Sequence, residues 1–94
     1  MRVIGIPILT EFLRVHGDVA RPVQAWLAEA RNASWKTPHQ LKEHYRNATI
    51  LKGSRVVFNV KGNKYRLLVT VDYEFEIVRI EKIGSHEEYD EWDF

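Results

Sequence analysis

The sequence contains no cysteine and no long apolar run. Without cysteine, a disulfide framework and a thiolate zinc site are excluded. No apolar stretch approaches the roughly 20 residues that span a bilayer. The apolar N-terminus is interrupted by Pro7 and Glu11, and it lacks the length and the cleavage site of a secretory signal. We therefore expect a cytoplasmic protein that does not enter a membrane.

The motifs of metal- and cofactor-dependent enzymes are also missing. There is no phosphate loop, no dinucleotide fingerprint and no serine elbow. Residues 86–90, His-Glu-Glu-Tyr-Asp, do not form the zinc pattern His-Glu-x-x-His, because the fifth residue is aspartate. His39 and His44 are five residues apart, whereas two ligands on one helical face are four apart. We expect neither a metal nor an organic cofactor.

The formal net charge of +1 hides an uneven distribution of charge. Residues 1–82 carry all 14 Lys and Arg but only eight of the 13 acids, an excess of six positive charges. The last twelve residues carry the other five acids and no Lys or Arg. A basic body favours contact with phosphates, although charge alone also fits an ordinary solvated surface.

The chain is long enough for one domain, residues 1–94, and its 45% hydrophobic content is typical of a globular protein. Apolar residues repeat at helical spacing in the first half, and Gly17 is placed to end the first helix. Asp18 and Thr37 are predicted N-caps. The predicted elements are an edge strand over Arg2–Ile6, a helix from Pro7, a second helix from Asp18 to about Asn32, and a third from Thr37 to about Arg46.

The second half of the chain has the period of β-strands. One predicted sheet face carries Tyr65, Leu67, Val69 and Val71, and the other carries Lys64, Arg66, Leu68 and Thr70. The predicted strands are Thr49–Lys52, Arg55–Val60, Lys64–Val71 and Phe75–Ile83, and His86–Trp92 is predicted to form a short helix or a structured tail.

Helices followed by a strand meander predict an α+β domain, in which the N-terminal helices pack on one face of an antiparallel sheet of about four to five strands. The helices should cover the apolar face of the strand at residues 64–71. The other face would then be partly open and lined by Lys64 and Arg66.

Three groups of residues could carry chemistry. The hairpin at residues 59–66 concentrates cations and amides that can clamp a phosphate backbone, although the pattern also fits a plain polar turn. On the last strand, Arg79 and Lys82 fall on opposite faces if the strand is regular. After it, His86 and Tyr89 share one side of a helical turn, where the histidine could move a proton and the tyrosine could stack on a base.

Three ordered segments resemble those of HigB-type toxins, a branch of the RelE superfamily. They are Trp-Lys-Thr-Pro at 35–38, Val-Phe-Asn-Val-Lys-Gly-Asn-Lys-Tyr-Arg-Leu at 57–67, and Gly-Ser-His-Glu-Glu-Tyr-Asp at 84–90. The resemblance runs in order along nearly all of the chain. It implies a RelE-like fold and a metal-independent endoribonuclease that cuts mRNA on the translating ribosome. It also implies a HigA-like antitoxin with a helix-turn-helix domain, through which the toxin reaches operator DNA only indirectly.

Site residues follow from the resemblance by motif. It points to Asn59 and Lys64 as RNA-binding residues and implies that His86, Arg66, Arg79 and Tyr89 are catalytic. From the pattern of the hairpin and of the last strand, we add Lys61, Asn63 and Lys82 to the predicted RNA-binding residues. Metal-free RNA cleavage uses the 2′-OH as nucleophile, so it needs a proton acceptor, a cation for the phosphate and a proton donor for the leaving 5′-oxygen. We assign phosphate support to Arg66, assisted by Arg79, proton transfer to His86, and orientation or base stacking to Tyr89.

Two other classes of function remain open from the sequence. One is a non-catalytic RNA- or ribosome-binding module, which would keep the basic sheet but not depend on His86. The other is a RelE-fold toxin with another target, such as gyrase. Two features depart from the family pattern: the acidic tail that ends Glu-Trp-Asp-Phe, and the pair Glu81-Lys82, which splits the last strand.

Overall fold

The structure, a computed structural model, describes residues 1–94 and confirms an α+β fold. The five strands are β1 (Arg2–Ile4), β2 (Thr49–Ile50), β3 (Arg55–Val60), β4 (Tyr65–Asp72) and β5 (Ile77–Ser85). The helices are α1 (Ile6–Val15), α2 (Ala20–Asn32), α3 (Pro38–His44) and α4 (His86–Tyr89), with a 3₁₀ turn at Gly17–Val19 between α1 and α2. None of these helices has the length and apolar character that crossing a membrane requires.

The strands form one sheet in the order β1-β5-β4-β3-β2. The predicted edge position of β1 is confirmed, but the sheet is not wholly antiparallel, because β1 pairs parallel with β5. The remaining neighbours pair antiparallel, as expected for strands joined by short turns. The parallel pair is possible because α1, α2 and α3 separate β1 from the meander and let it join the far edge.

Burial of apolar helix faces against one sheet face forms the core. One apolar face of α2 is buried, with Val23, Trp26 and Ala30 each no more than 3% exposed. From β4, the alternating residues Tyr65, Leu67, Val69 and Val71 enter the same core, as predicted. Phe58 on β3 packs its ring against Trp26 and Tyr45, so α2 and the segment after α3 share one aromatic centre.

Of the two predicted helix caps, one is confirmed and one is wrong. The Thr37 side chain accepts a hydrogen bond from the Gln40 backbone N–H at 3.1 Å. The Gln40 side chain reaches back to the N–H of Lys36, one residue earlier than in a capping box. Asp18 caps no helix, because α2 begins two residues later and the carboxylate is bound to Lys61, Lys64 and Tyr65.

The last strand begins and runs differently from the prediction. Asp72 accepts a hydrogen bond from the Phe75 N–H at 2.9 Å, and this turn keeps Phe75 outside β5, with 69% of it exposed. A bulge lies at Glu81, because Val69 pairs with Ile80 and Leu68 with Lys82. The extra residue in β5 shifts the alternation of side chains between the two sheet faces by one position. Arg79 and Lys82 therefore share a face, contrary to the prediction for a regular strand.

The sheet face away from the helices is partly covered, in agreement with the expectation of a partly open face. Val57 and Leu68 lie on this face, as register partners on β3 and β4, and they are 1% and 7% exposed. The C-terminal segment returns to this face: the Phe94 ring is 5.5 Å from the Arg55 guanidinium and the Trp92 ring is 5.4 Å from the Lys82 ammonium. The sequence pattern did not predict this return of the chain.

Candidate functional site

The side chain of Arg66 lies at the end of the sheet, on the face away from the helices. It projects from β4 next to the turn that connects β3 and β4, where Lys61 and Gly62 both adopt positive φ. This turn brings Asn63 back over the strand, and the Arg66 guanidinium donates to its backbone oxygen at 2.9 Å and to its side-chain oxygen. Asn63 therefore holds the guanidinium plane in a fixed orientation.

His86 reaches Arg66 because β5 and α4 meet at this end of the sheet. Gly84 is the register partner of Arg66, and Ser85 is the N-cap of α4 in a complete capping box with Glu88. His86 is the first residue of α4, and its backbone N–H donates to the Lys64 carbonyl at 2.9 Å. Its ring Nδ1 lies 3.0 Å from Nη2 of Arg66.

The contact between Arg66 and His86 fixes the histidine tautomer. A guanidinium can only donate, so Nδ1 must accept and the proton of the neutral ring sits on Nε2. The side chain of His86 is 47% exposed, and its Nε2 lies 3.9 Å from a carboxylate oxygen of Asp90. The Tyr89 ring packs against the guanidinium, with its centroid 5.4 Å from Cζ of Arg66.

Arg66 is a buried cation without a carboxylate partner. The residue is 7% exposed, and its hydrogen bonds go to the carbonyl oxygens of Asn63 and Tyr65, to the amide oxygen of Asn63 and to a ring nitrogen. It takes part in none of the ion pairs of the structure. Buried charges in proteins are normally paired, since desolvation without a partner is costly. The site is therefore suited to an anion such as a phosphate.

Asn59 lies beside this centre, because it is the register partner of Arg66 on β3. A cavity of about 320 Å³ opens next to it. Its lining includes Arg46, Asn47 and Gly62 together with the aromatic residues His44, Tyr45 and Phe58. Amide, cationic and aromatic groups thus continue from Arg66 past Asn59 to the edge of the sheet.

Lys64 does not line the same sheet face as Arg66, contrary to the prediction, and Lys61 of the hairpin turn lies beside it. Their ammonium groups are each 3.1 Å from Asp18, whose carboxylate also accepts from the Tyr65 hydroxyl at 3.0 Å. The Tyr65 ring contacts Phe12, so this cluster belongs to the helix side of the hairpin. Lys61, then Lys64, hold the pKa of Asp18 well below its ordinary value, and Asp18 raises the pKa of Lys64 in turn.

Lys82 and Arg79 share the Arg66 face but extend away from it. Lys82 pairs with Leu68, two residues along β4 from Arg66, and Arg79 pairs with Thr70, four residues along. At about 3.3 Å per residue, the second separation is roughly 13 Å. Arg79 is exposed and has no contact with Arg66 or His86, so its predicted role in supporting the same phosphate stays a prediction.

The prediction missed three residues near this surface: Arg55, Trp92 and Phe94. The sequence does contain a signal for the last two, namely aromatic rings within an acidic terminus of a chain whose body is basic. The structure holds no group of three or more His, Asp or Glu side chains arranged to bind a metal ion.

The fold and the site define the class of protein. Helices on one face of a five-stranded, mostly antiparallel sheet, with a cationic centre at the sheet end, are consistent with a RelE-like toxin. A family model described as HigB toxin, the RelE-like toxic component of a toxin–antitoxin system, matches residues 19–92. The chain belongs to this family, and it is a toxin whose partner is an antitoxin. A search of curated proteins found no match.

Proposed function

We propose that the chain is a metal-independent endoribonuclease that cleaves mRNA on the translating ribosome by attack of the 2′-OH on the adjacent phosphate. The observation that carries this proposal is the buried Arg66 guanidinium, which pairs with no carboxylate and lies 3.0 Å from the His86 ring. Membership of a RelE-like toxin family supports it, because mRNA cleavage is the general activity of that family.

Each residue of the centre has a role in this scheme. Arg66 binds the scissile phosphate and stabilises the charge that develops on it in the transition state. When Arg66 turns its donors to the phosphate, Nδ1 of His86 is released and the ring can accept or donate a proton. His86 accepts the 2′-OH proton as the 2′-oxygen attacks phosphorus, the bond to the 5′-oxygen breaks, and this oxygen takes a proton from the histidine or from water. The products are a cyclic phosphate and a 5′-hydroxyl. Tyr89 stacks on a neighbouring base or keeps Arg66 in place.

RNA contacts extend from this centre in two directions. Asn59 and Asn63 offer amide groups on one side, and Lys82 offers a cation on the other. Lys61 and Lys64 contact the phosphate backbone from the hairpin, beside their ion pairs with Asp18. Arg79 binds a more distant phosphate in this scheme.

The antitoxin is proposed to be a HigA-like protein with a helix-turn-helix domain. In that arrangement the antitoxin contacts operator DNA, and the toxin reaches DNA only through it. The cytoplasm is the proposed compartment, where ribosome, mRNA and antitoxin are all present.

Induced expression in a bacterial host without the antitoxin tests the proposal. Growth is recorded and mRNA 5′ ends are mapped for the wild type, Arg66→Ala, His86→Ala and the control His39→Ala, whose side chain is 84% exposed and forms only a surface pair. The expected result is growth arrest with new cuts inside translated regions, lost in the first two variants and retained in the control.

Two outcomes would contradict the proposal. Normal growth and intact mRNA with a folded wild-type chain would favour a non-catalytic binding module. Arrest that begins with DNA replication, while mRNA stays intact, would favour a gyrase-type target.

A further inference from the structure

The part of the sheet face under residues 90–94 combines apolar and cationic groups in an arrangement that the cleavage chemistry does not use. Val57 and Leu68 form its apolar centre, between Arg55 on β3 and Lys82 on β5. In the free protein, the Phe94 ring lies over Arg55 at 5.5 Å and the Trp92 ring lies over Lys82 at 5.4 Å. The surface thus holds two stacked rings, one on each cation.

The C-terminal segment presents to this surface the same groups that a single RNA strand would present. Unpaired bases bind proteins by stacking on apolar and cationic side chains, and the linking phosphates bind to nearby basic groups. Here Trp92 and Phe94 supply the rings, and the neighbouring Asp90, Glu91 and Asp93 supply the negative charges. Contacts between a cation and a ring at partly exposed positions are weak, so another aromatic ligand can replace them.

We propose that the surface formed by Arg55, Val57, Leu68 and Lys82 is a binding site for unpaired RNA bases flanking the cleaved bond, and that residues 90–94 occupy it in the free protein as an internal mimic of RNA. This inference rests on the proposed function. The capping box of Ser85 and Glu88 fixes the start of α4, so residues 90–94 can leave while His86 stays beside Arg66. Tyr89 then loses its ring contacts with Trp92 and Phe94 but keeps its contact with the Arg66 guanidinium.

Binding of a fluorescently labelled, single-stranded 2′-O-methyl RNA, followed by anisotropy, tests the proposal without cleavage, because the nucleophilic hydroxyl is blocked. The full-length double variant Trp92→Ala/Phe94→Ala empties the surface of its rings, and its Kd should fall roughly three- to tenfold. The variant Asp90→Asn/Glu91→Gln/Asp93→Asn keeps the rings and removes the competing charges, and its Kd should fall as well.

A charge-matched control separates a local effect from the change in net charge. Glu11→Gln/Glu29→Gln/Glu43→Gln removes three exposed acids of the helices, on the opposite side of the sheet, and should change the Kd less than the tail variant does. In the Trp92→Ala/Phe94→Ala background, Arg55→Ala should raise the Kd again, whereas Arg21→Ala, an exposed residue of α2, should not.

An unchanged or higher Kd for RNA in Asp90→Asn/Glu91→Gln/Asp93→Asn would overturn this inference. Because this variant keeps every apolar contact, its result is decisive even if Trp92→Ala/Phe94→Ala does not fold. If that result accompanies normal mRNA cleavage in cells, only the internal-mimic proposal falls. If the wild type and both tail variants neither bind RNA nor cut mRNA, the proposed function falls with it.

Discussion

Nη2 of Arg66 and Nδ1 of His86 lie 3.0 Å apart, although the residues are 20 positions apart in the chain. The contact depends on the pairing of Arg66 on β4 with Gly84 on β5. It also depends on the N-cap Ser85, after which α4 begins at His86. It links the group suited to hold a phosphate with the group suited to move a proton. Phosphate binding and release of the histidine ring are therefore one coupled event in the proposed mechanism.

Replacement of Arg66 by lysine should remove most of the cleavage activity. Lysine keeps the charge but has a single ammonium group, which cannot hold Asn63 and bind a phosphate through two parallel donors as a planar guanidinium can. We expect the cleavage rate to fall by about 10²-fold, the order found when one oxyanion donor is lost. Single-turnover cleavage of a model mRNA on ribosomes measures it.

The control for this change is Arg21→Lys on the exposed side of α2, which should leave the rate unchanged. Full activity of Arg66→Lys in a chain with wild-type circular dichroism would contradict the assignment of phosphate binding to the guanidinium.

Replacement of Tyr89 distinguishes a stacking role from proton transfer. Its ring lies over the Arg66 guanidinium, while its hydroxyl takes part in no hydrogen bond of the structure. Tyr89→Phe should therefore keep most of the activity, and Tyr89→Ala should reduce it about tenfold, in line with a cation–π contact of about 1 kcal/mol or more. The same cleavage assay measures both, and a large loss in Tyr89→Phe would instead assign a chemical role to the hydroxyl.

Local patterns predicted the elements that depend on neighbours in the chain. The cap at Thr37 and the buried alternation of Tyr65, Leu67, Val69 and Val71 follow from residues a few positions apart, and the structure confirms both. Asp18 shows where such reasoning fails. A carboxylate before a helix predicts an N-cap, but in the folded chain two lysines from a distant hairpin bind it instead.

The candidate site depends on features that spacing does not reveal. A bulge depends on how the backbones of two strands pair, and the residue types at 80–83 do not reveal it. The sequence therefore could not show that Arg79 and Lys82 share a face. The residues of the Arg66 centre were predicted as a set, but their contacts arise from the tertiary pairing of β4 with β5. The return of Trp92 and Phe94 over the sheet is likewise a long-range contact between an acidic segment and a basic face.

The Asp18 cluster should make stability depend on pH in the acid range. The folded-state pKa of Asp18 is lowered by Lys61 and Lys64, so its stabilising contribution is complete above the ordinary carboxyl pKa of about 3.9. It is lost as pH falls through the lower folded-state value. Asp18→Asn should therefore lower the Tm at pH 7 and pH 5, and the difference from the wild type should shrink below about pH 4.

Thermal unfolding from pH 7 to pH 2 measures this difference. Glu11→Gln, which removes an exposed helix pair with Arg14, is the matched control and should change the Tm little at any pH. A Tm difference for Asp18→Asn that stays constant down to pH 2 would show that the cluster acts through hydrogen bonding and not through the carboxylate charge.

Deletion of Glu81 should be tolerated, because it removes only the extra residue of the bulge. In the wild type, Val78, Ile80 and Ile83 face the core side and Arg79, Lys82 and Gly84 the other, so the shortened strand alternates regularly with the same residues on each face. We expect a loss of no more than about 1 kcal/mol in the free energy of unfolding, typical of a surface change that disturbs no buried contact.

Deletion of Ile80, which is 2% exposed, forces Glu81 towards the core and should lower the free energy of unfolding several times more. Urea unfolding of the two deletion variants compares them directly, and equal destabilisation by both would mean that the bulge does not set the faces of β5.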